Sequence, residues 1–263
     1  MGIDAYSSNI NSPFYSTGLN SASESLASGS RINRTSDDAA GQAIITALTS
    51  QINSQDMASR NANTGISLLQ TADGASDTIG QSLQRMNELS LQAMNGTMND
   101  SQRSMLNDEF QQNLEMINQV SQSTTFNGMN LLNGDNANIS IALGEGSSDL
   151  TLANLTTDGL NLSGLDITSA ASASSALSGL TTAIEQLGSA RSQFGAQQNG
   201  LSSAVNNLQS QNISNQANRS QMSDTDFAKA ITEQVRQGVL NQTSVAMQAQ
   251  GNQSKADVLQ LLS

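Results

Sequence analysis

Ile79, Leu83, Met86, Ser90 and Ala93 succeed one another at steps of four and three residues, the spacing that lays a coiled-coil seam along an α-helix. Leu106, Phe110, Leu114, Ile117 and Val120 make a second seam. Between them MNGTMNDSQ, residues 94–102, sets Asn-Gly near Asn-Asp and predicts a turn. The two helices are therefore expected to pack antiparallel. A third run, Leu177, Leu180, Ile184, Leu187 and Phe194, leads into Leu201, Val205 and Leu208 and predicts one very long helix. After Ser223-Asp224, an expected N-cap, Phe227, Ile231, Val235, Gly238, Gln242, Val245 and Ala249 form a fourth seam. Gly and Gln interrupt its apolar line.

The period changes in residues 128–168. In NISIALG (138–144) Ile139, Ile141 and Leu143 alternate with small or polar residues, and in DLTLANL (149–155) Leu150 and Leu152 do the same. Two period-two runs around GEGSS predict a β-hairpin. SAASASSALSG (169–179) is expected to be a small-residue linker into the C-terminal helices. The predicted fold class is mainly α: a long antiparallel helical hairpin or coiled-coil rod formed by the N- and C-terminal segments, with a small β-hairpin region near residues 128–168.

Composition restricts the chemistry. Ten Lys and Arg stand against 22 Asp and Glu, a net charge of -12, so a phosphate backbone meets repulsion rather than the clustered cations that bind it. Nucleic acid is not an expected partner. His and Cys are absent, which removes imidazole bases, thiolates, disulfides and the usual zinc ligands. No run approaches the roughly 18 apolar residues of a membrane span. MGIDAYSSNINSPFYSTG has neither a basic nor an apolar signal region, so export, if any, is expected to proceed without a cleaved signal peptide.

Three acidic or polar motifs invite a chemical reading. Asp37 and Asp38 in RINRTSDDAAGQAI are adjacent, hence about 100° apart on a helix, and no nucleophile or complementary acid-base group accompanies them. They are expected in the first turn of a helix begun by Thr35 or Ser36, where capping and the macrodipole favour them. Asp224 and Asp226 lack the Gly and Glu that complete a calcium loop. Asn138, Asn154 and Asn161 head short glycosylation-type triplets that arise easily by chance in an Asn- and Ser-rich chain. No catalytic, cofactor or metal residue is predicted.

Longer segments carry a family resemblance. LASGSRINRTSDDAAGQAI (26–44), ASRNANTGISLLQTADGA (58–75), LQRMNELSLQAMNGT (83–97), DEFQQNLEMINQVSQSTTFNGMNLL (108–132), SQMSDTDFAKAI (220–231), TSVAMQAQGNQ (243–253) and VLQLL (258–262) resemble, in family order, the bacterial flagellins, subunits of the flagellar filament. The resemblance implies an inner terminal coiled-coil domain of residues 1–35 with 225–263, and a helical rod domain of residues 36–224 that carries the β-hairpin. It implies a short form without outer variable domains, in which the stretch ahead of Leu19 is shorter than usual.

The same resemblance implies a structural subunit that polymerises helically with itself, located in the extracellular flagellum and serving motility. Its implied partners are the flagellar cap and hook-filament junction proteins, a flagellin export chaperone, the type III export apparatus and the vertebrate Toll-like receptor five. It assigns receptor recognition to Gln84, Arg85, Glu88, Leu89 and Gln92, with Glu109 from the next helix. At 100° per residue, Arg85, Glu88, Leu89 and Gln92 are expected on a face turned away from Ile79, Leu83, Met86 and Ala93. Val235, Val239, Val245, Val258, Leu259, Leu261 and Leu262 are the expected apolar contacts, first for the chaperone and then for neighbouring subunits. A hook-filament junction protein and a cytoplasmic coiled-coil scaffold are the alternatives.

Overall fold

The computed structural model describes residues 13–262, with side chains from Asn20 to Ser254. Among them are five helices, α1 (Pro13–Ser28), α2 (Ala39–Ala93), α3 (Asp100–Ser123), α4 (Ala170–Ser223) and α5 (Phe227–Leu262), and four short strands. Strands β1 (Thr125–Phe126) and β2 (Met129–Asn130) form one antiparallel pair, and β3 (Asn138–Ala142) and β4 (Ser147–Thr151) a second. The protein is mainly helical with a small β region, as the periodicity predicts. The chain divides into two units: the described residues up to Ile52 with those from Ile213 onward, and the stretch from Asn53 to Asn212.

The Asn53–Asn212 unit is built on the predicted seams. Ile79, Leu83, Met86, Ser90 and Ala93 are all buried, and so are Phe110, Leu114 and Ile117 of α3. The turn between α2 and α3 ends in a capping box, in which the Gln102 amide donates to the Asn99 side chain (2.8 Å) and the Asn99 amide to the Gln102 side chain (3.0 Å). This satisfies two amides that the first helical turn leaves without partners. From the other side Arg103 donates to the Ala93 (2.9 Å) and Asn95 (3.1 Å) carbonyls, which closes the end of α2.

Residues 169–179 overturn the linker expectation. They lie in the first turns of α4, where Ala173 and Ala176 are buried. Ser169 is the cap, its hydroxyl accepting the Ser172 amide (3.0 Å) while the Ser172 hydroxyl accepts the Ser169 amide (3.0 Å). The heptad continues upstream through alanine: Ala173, Ala176, Leu180, Ala183, Leu187, Ala190, Phe194, Leu201, Val205 and Asn212 are buried. Alanine at alternate seam positions permits close approach of a neighbouring backbone, and a reading keyed to large side chains misses it.

The β3–β4 hairpin forms in the expected place, with Ile139 opposite Leu150 and Ala142 opposite Ser147. Its Leu150 is buried, and the irregular stretch after it sends Leu152, Leu155, Leu160, Leu162 and Ile167 into the same core. The β1–β2 hairpin is an addition to the predicted fold. Asn127 and Gly128 both hold positive φ (50° and 79°), the two-residue Asn-Gly turn whose twist suits paired strands. Asn154 and Asn161 serve turns: the Asn154 side chain accepts the Thr156 amide (3.1 Å) and hydroxyl (2.7 Å), and Asn161 holds φ 56°.

In the other unit, the acidic start of α2 departs from expectation. Asp38 is the cap, accepting the Gly41 amide at 2.8 Å, but Asp37 lies ahead of the helix and accepts the Asn33 (3.1 Å) and Arg34 (2.9 Å) amides. Two neighbouring carboxylates thus close two different backbone segments. Gly41 leaves room beside them: a Cβ there would lie 2.5 Å from the Asp38 carboxylate and 2.8 Å from Ile32 Cδ1, so these side chains would have to shift. For α5 the cap is Asp226, which accepts the Lys229 amide at 3.1 Å, rather than Ser223-Asp224. Asp224 instead receives the Ser220 hydroxyl and pairs with Ser30 in an isolated β-bridge.

Candidate functional site

No group of three or more carboxylates among the described residues is arranged to hold a metal, and no helix described is long and apolar enough to cross a membrane. Two surfaces stand out.

The first is α5. It packs against α1, with the Gln234 amide donating to the Ser23 hydroxyl (3.2 Å) and the Thr225 hydroxyl to the Ser25 carbonyl (3.4 Å), so the two run antiparallel. The half-buried side of α5 consists of Ala230, Glu233, Gln234, Gln237, Gly238, Asn241 and Ser244, which are polar or small. Of the predicted seam only Gly238 lies there, and its apolar members, with Val239 beside them, are exposed. Phe227 (52% exposed), Ile231 (50%), Val235 (59%), Val239 (55%) and Val245 (59%) face outward. Among the side chains described on α1, the half-buried ones in the helix are Ala22, Ser23, Glu24, Ser25 and Leu26. None of the side chains described on α5 is buried. Val258, Leu259, Leu261 and Leu262 have side chains outside the described residues.

A polar clasp joins the two loops beside this helix pair. The Arg31 amide donates to the Ser223 carbonyl (2.6 Å) and the Thr225 amide to the Gly29 carbonyl (3.0 Å). Ser30 meets Ser223 through both hydroxyl and carbonyl (2.9 and 3.1 Å), and the Arg31 guanidinium reaches the Met222 carbonyl (2.8 Å). Gly29, at φ 69°, ends α1 in the left-handed conformation that lets the chain leave the helix.

The second surface lies on α2 and α3. Arg85 bonds Glu109 at 2.7 Å and Glu88 at 3.1 Å, so the structure brings these three together as the sequence suggests. The Glu109 contact above all, then that to Glu88, raises the Arg85 pKa above its ordinary value. Gln84 and Gln92 are exposed nearby on α2. Leu89 is not on this face. It is wholly buried in the core cluster, because three residues past Met86 carries it 300° around the helix, only about 60° from Met86 itself. The sequence reading also passed over the exposed Leu91, Met105 and Met116 on these same helices, since isolated apolar residues on a polar face give no periodic signal.

A groove of about 300 Å³ between α2 and α4 is lined by Asp77, Gly80, Gln81, Gln84, Leu187 and Arg191, among others. Arg191 is already engaged by Asp73 (2.8 Å) and Asp77 (3.1 Å). Asp73 foremost, then Asp77, raises its pKa.

The chain is similar to known proteins over most of its length. A model of the bacterial flagellin N-terminal helical region matches residues 7–137, and one of the C-terminal helical region matches residues 177–262. A flagellin of Halalkalibacterium halodurans is 42% identical over 246 residues, which span 92% of this chain and 90% of that one. The crystal structure of Bacillus cereus flagellin aligns with TM-score 0.51 and 32% identity, over 57% of this chain and 88% of that chain. A putative flagellar hook-associated protein from Vibrio parahaemolyticus aligns with TM-score 0.62 over 72% of this chain and 100% of that one, at 14% identity. That last likeness is one of fold alone.

Proposed function

Because this chain belongs to the bacterial flagellin family and is a structural subunit of the flagellar filament, we propose that its assembly works by covering the outward face of α5. The observation that carries this is the unburied stripe of Phe227, Ile231, Val235, Val239 and Val245 on a helix whose inner side is polar. Apolar area removed from water stabilises by about 25 cal/mol per Å², and a lone chain forgoes that gain here. Neighbouring subunits supply it. A contact repeated by a rotation that does not close builds a helical filament.

In this proposal residues 1–35 with 225–263 form the inner layer and residues 36–224 the wall. The terminal segments order on joining the filament, since polar seams alone poorly offset the entropy of fixing them. Before that, an export chaperone covers Val235, Val239 and Val245, with Val258, Leu259, Leu261 and Leu262. A type III export apparatus then passes the chain outside, where cap and hook-filament junction proteins bound the filament. Catalysis has no place in this scheme.

Seeded polymerisation tests it. Val235→Asp with Val239→Asp should reduce elongation from filament fragments to background while the helical signal of the Asn53–Asn212 unit persists. Elongation at the unmodified rate would sink the proposal. Limited proteolysis adds a second measurement: terminal cleavage should be fast in dilute monomer and suppressed in filament.

The exposed Arg85, Glu88 and Glu109 cluster favours a further reading, recognition by vertebrate Toll-like receptor five. Gln84 and Gln92 flank that cluster, whereas Leu89 is buried in the core. Arg85→Ala should lower receptor signalling by monomer at unchanged helicity, and equal signalling by the two proteins would refute the assignment.

A further inference from the structure

Each ion pair found among the described residues joins an arginine to a carboxylate. Two arginines tie separate helices of the Asn53–Asn212 unit together. Arg85 of α2 reaches Glu109 of α3 as well as Glu88 on its own helix, and Arg191 of α4 reaches Asp73 and Asp77 of α2. Those carboxylates are the charges that act on the two guanidiniums. Arg103 holds the α2–α3 turn and pairs with Asp100 at 3.5 Å. Arg34 holds Glu24 at 2.9 Å in the other unit.

Fork geometry explains arginine where one side chain serves several acceptors, as at positions 34, 85, 103 and 191. It does not explain Arg236, which makes one contact with Glu233 three residues away, or the exposed Arg60. Lysine would serve either place. Yet lysine stands only at Lys229 and Lys255, eight of the ten basic residues are arginine, and His and Cys are absent. The chain thus lacks the side chains that ordinarily titrate between about pH 6 and 9.5.

We infer that this subunit is built to hold its fold and to polymerise in an alkaline medium, its interhelical ion pairs made from groups whose charge stays constant from about pH 6 to 11. The surface changes more, by about four to five charges by pH 11. Carboxylates are fully ionised at the lower end of that range, so the repulsion between subunits that each carry -12 changes only through two lysines, two tyrosines and the α-amino group. A cation whose pKa is raised in the fold contributes stability below its unfolded value and loses it as pH climbs through the folded one. For arginine both lie well above this range. Lysine at the same positions would begin to lose that contribution near pH 10.4.

Circular dichroism of monomer and seeded elongation, at constant ionic strength and at pH 7.5 and about pH 11, test the inference. The unmodified protein should keep its helical signal and an elongation rate within about twofold between the two. A protein carrying Arg85→Lys, Arg103→Lys and Arg191→Lys should keep pace at pH 7.5 and fall at least about fivefold behind at the higher pH. Loss of helix or a fivefold slowing in the unmodified protein overturns the inference, and so does a lysine variant that tracks it at both pH values. If that variant fails to fold, potentiometric titration of the unmodified protein decides. Release of about one proton per folded chain between pH 6.5 and 9 is expected, from the α-amino group, and three or more would refute it. The helical-signal measurement is made on monomer, so it stands apart from the assembly proposal.

Discussion

Leu89 and Arg85 sit one turn apart on α2 and differ in almost everything else. Leu89 is sealed in the core, so Leu89→Ala should cost about 2–5 kcal/mol of stability through the cavity it leaves. Arg85→Ala alone should lower the thermal unfolding midpoint only slightly, because a single exposed ion pair contributes about 0–1 kcal/mol. Glycines divide in the same way. A Cβ at Gly159 would lie 2.6 Å from the Asn154 carbonyl oxygen, whereas one at Gly188 meets nothing within 4 Å. Gly159→Ala should therefore destabilise by about 1–3 kcal/mol, and Gly188→Ala, inside α4, should stabilise by up to about 1 kcal/mol; urea unfolding of the two variants checks both signs. Asp38 shows what was legible at this scale. A carboxylate near a helix start reads as a cap, and Asp38 is one, but which carboxylate caps depends on a loop path that brings Asn33 and Arg34 to Asp37. Leu89 was misplaced for a simpler reason: it lies at the edge of its seam, where small angular differences decide between core and solvent.

Among the elements, those marked by large apolar residues were legible and those marked by alanine or serine were not. Leu83, Met86, Phe110 and Phe194 announce their helices, and Ile139 and Leu150 announce a hairpin. Ala173 and Ala176 announce nothing on a hydropathy reading, so the first turns of α4 passed for a linker. Ser169 starts that helix, and Ser169→Ala should cost about 0.5–2 kcal/mol, read as a lowered unfolding midpoint. The Asp166 carboxylate lies just before it and is held below its ordinary pKa, first by the Thr168 hydroxyl, then by the Thr168 amide and the Ser172 hydroxyl. A carboxylate depressed in the fold adds stability above its unfolded pKa, near 3.9, and loses it as pH falls through the folded value. Unfolding midpoints followed below about pH 4 should thus fall more steeply for the unmodified protein than for Asp166→Asn.

For the whole molecule, periodicity identified helices but not what each helix faces. The fourth seam was legible as a stripe, and only the structure reveals that α1 meets the polar side of α5 and leaves the apolar side uncovered. A pattern of spacings carries no information on whether its partner is in the same chain. Serines at seam positions blur the picture further, and the structure resolves them: Ser76 and Ser90 return their hydroxyls to the Ala72 and Met86 carbonyls (2.7 and 2.8 Å), which lets polar residues occupy a core. If assembly covers the exposed side of α5 as proposed, that side also sets the kinetics of growth. A few chains meeting in solution cover little of one another's stripes and fall apart, while a chain arriving at an existing tip is covered at once. Spontaneous polymerisation should accordingly begin after a lag that fragments of filament abolish, and below a critical concentration only the fragments, and no new filaments, should persist.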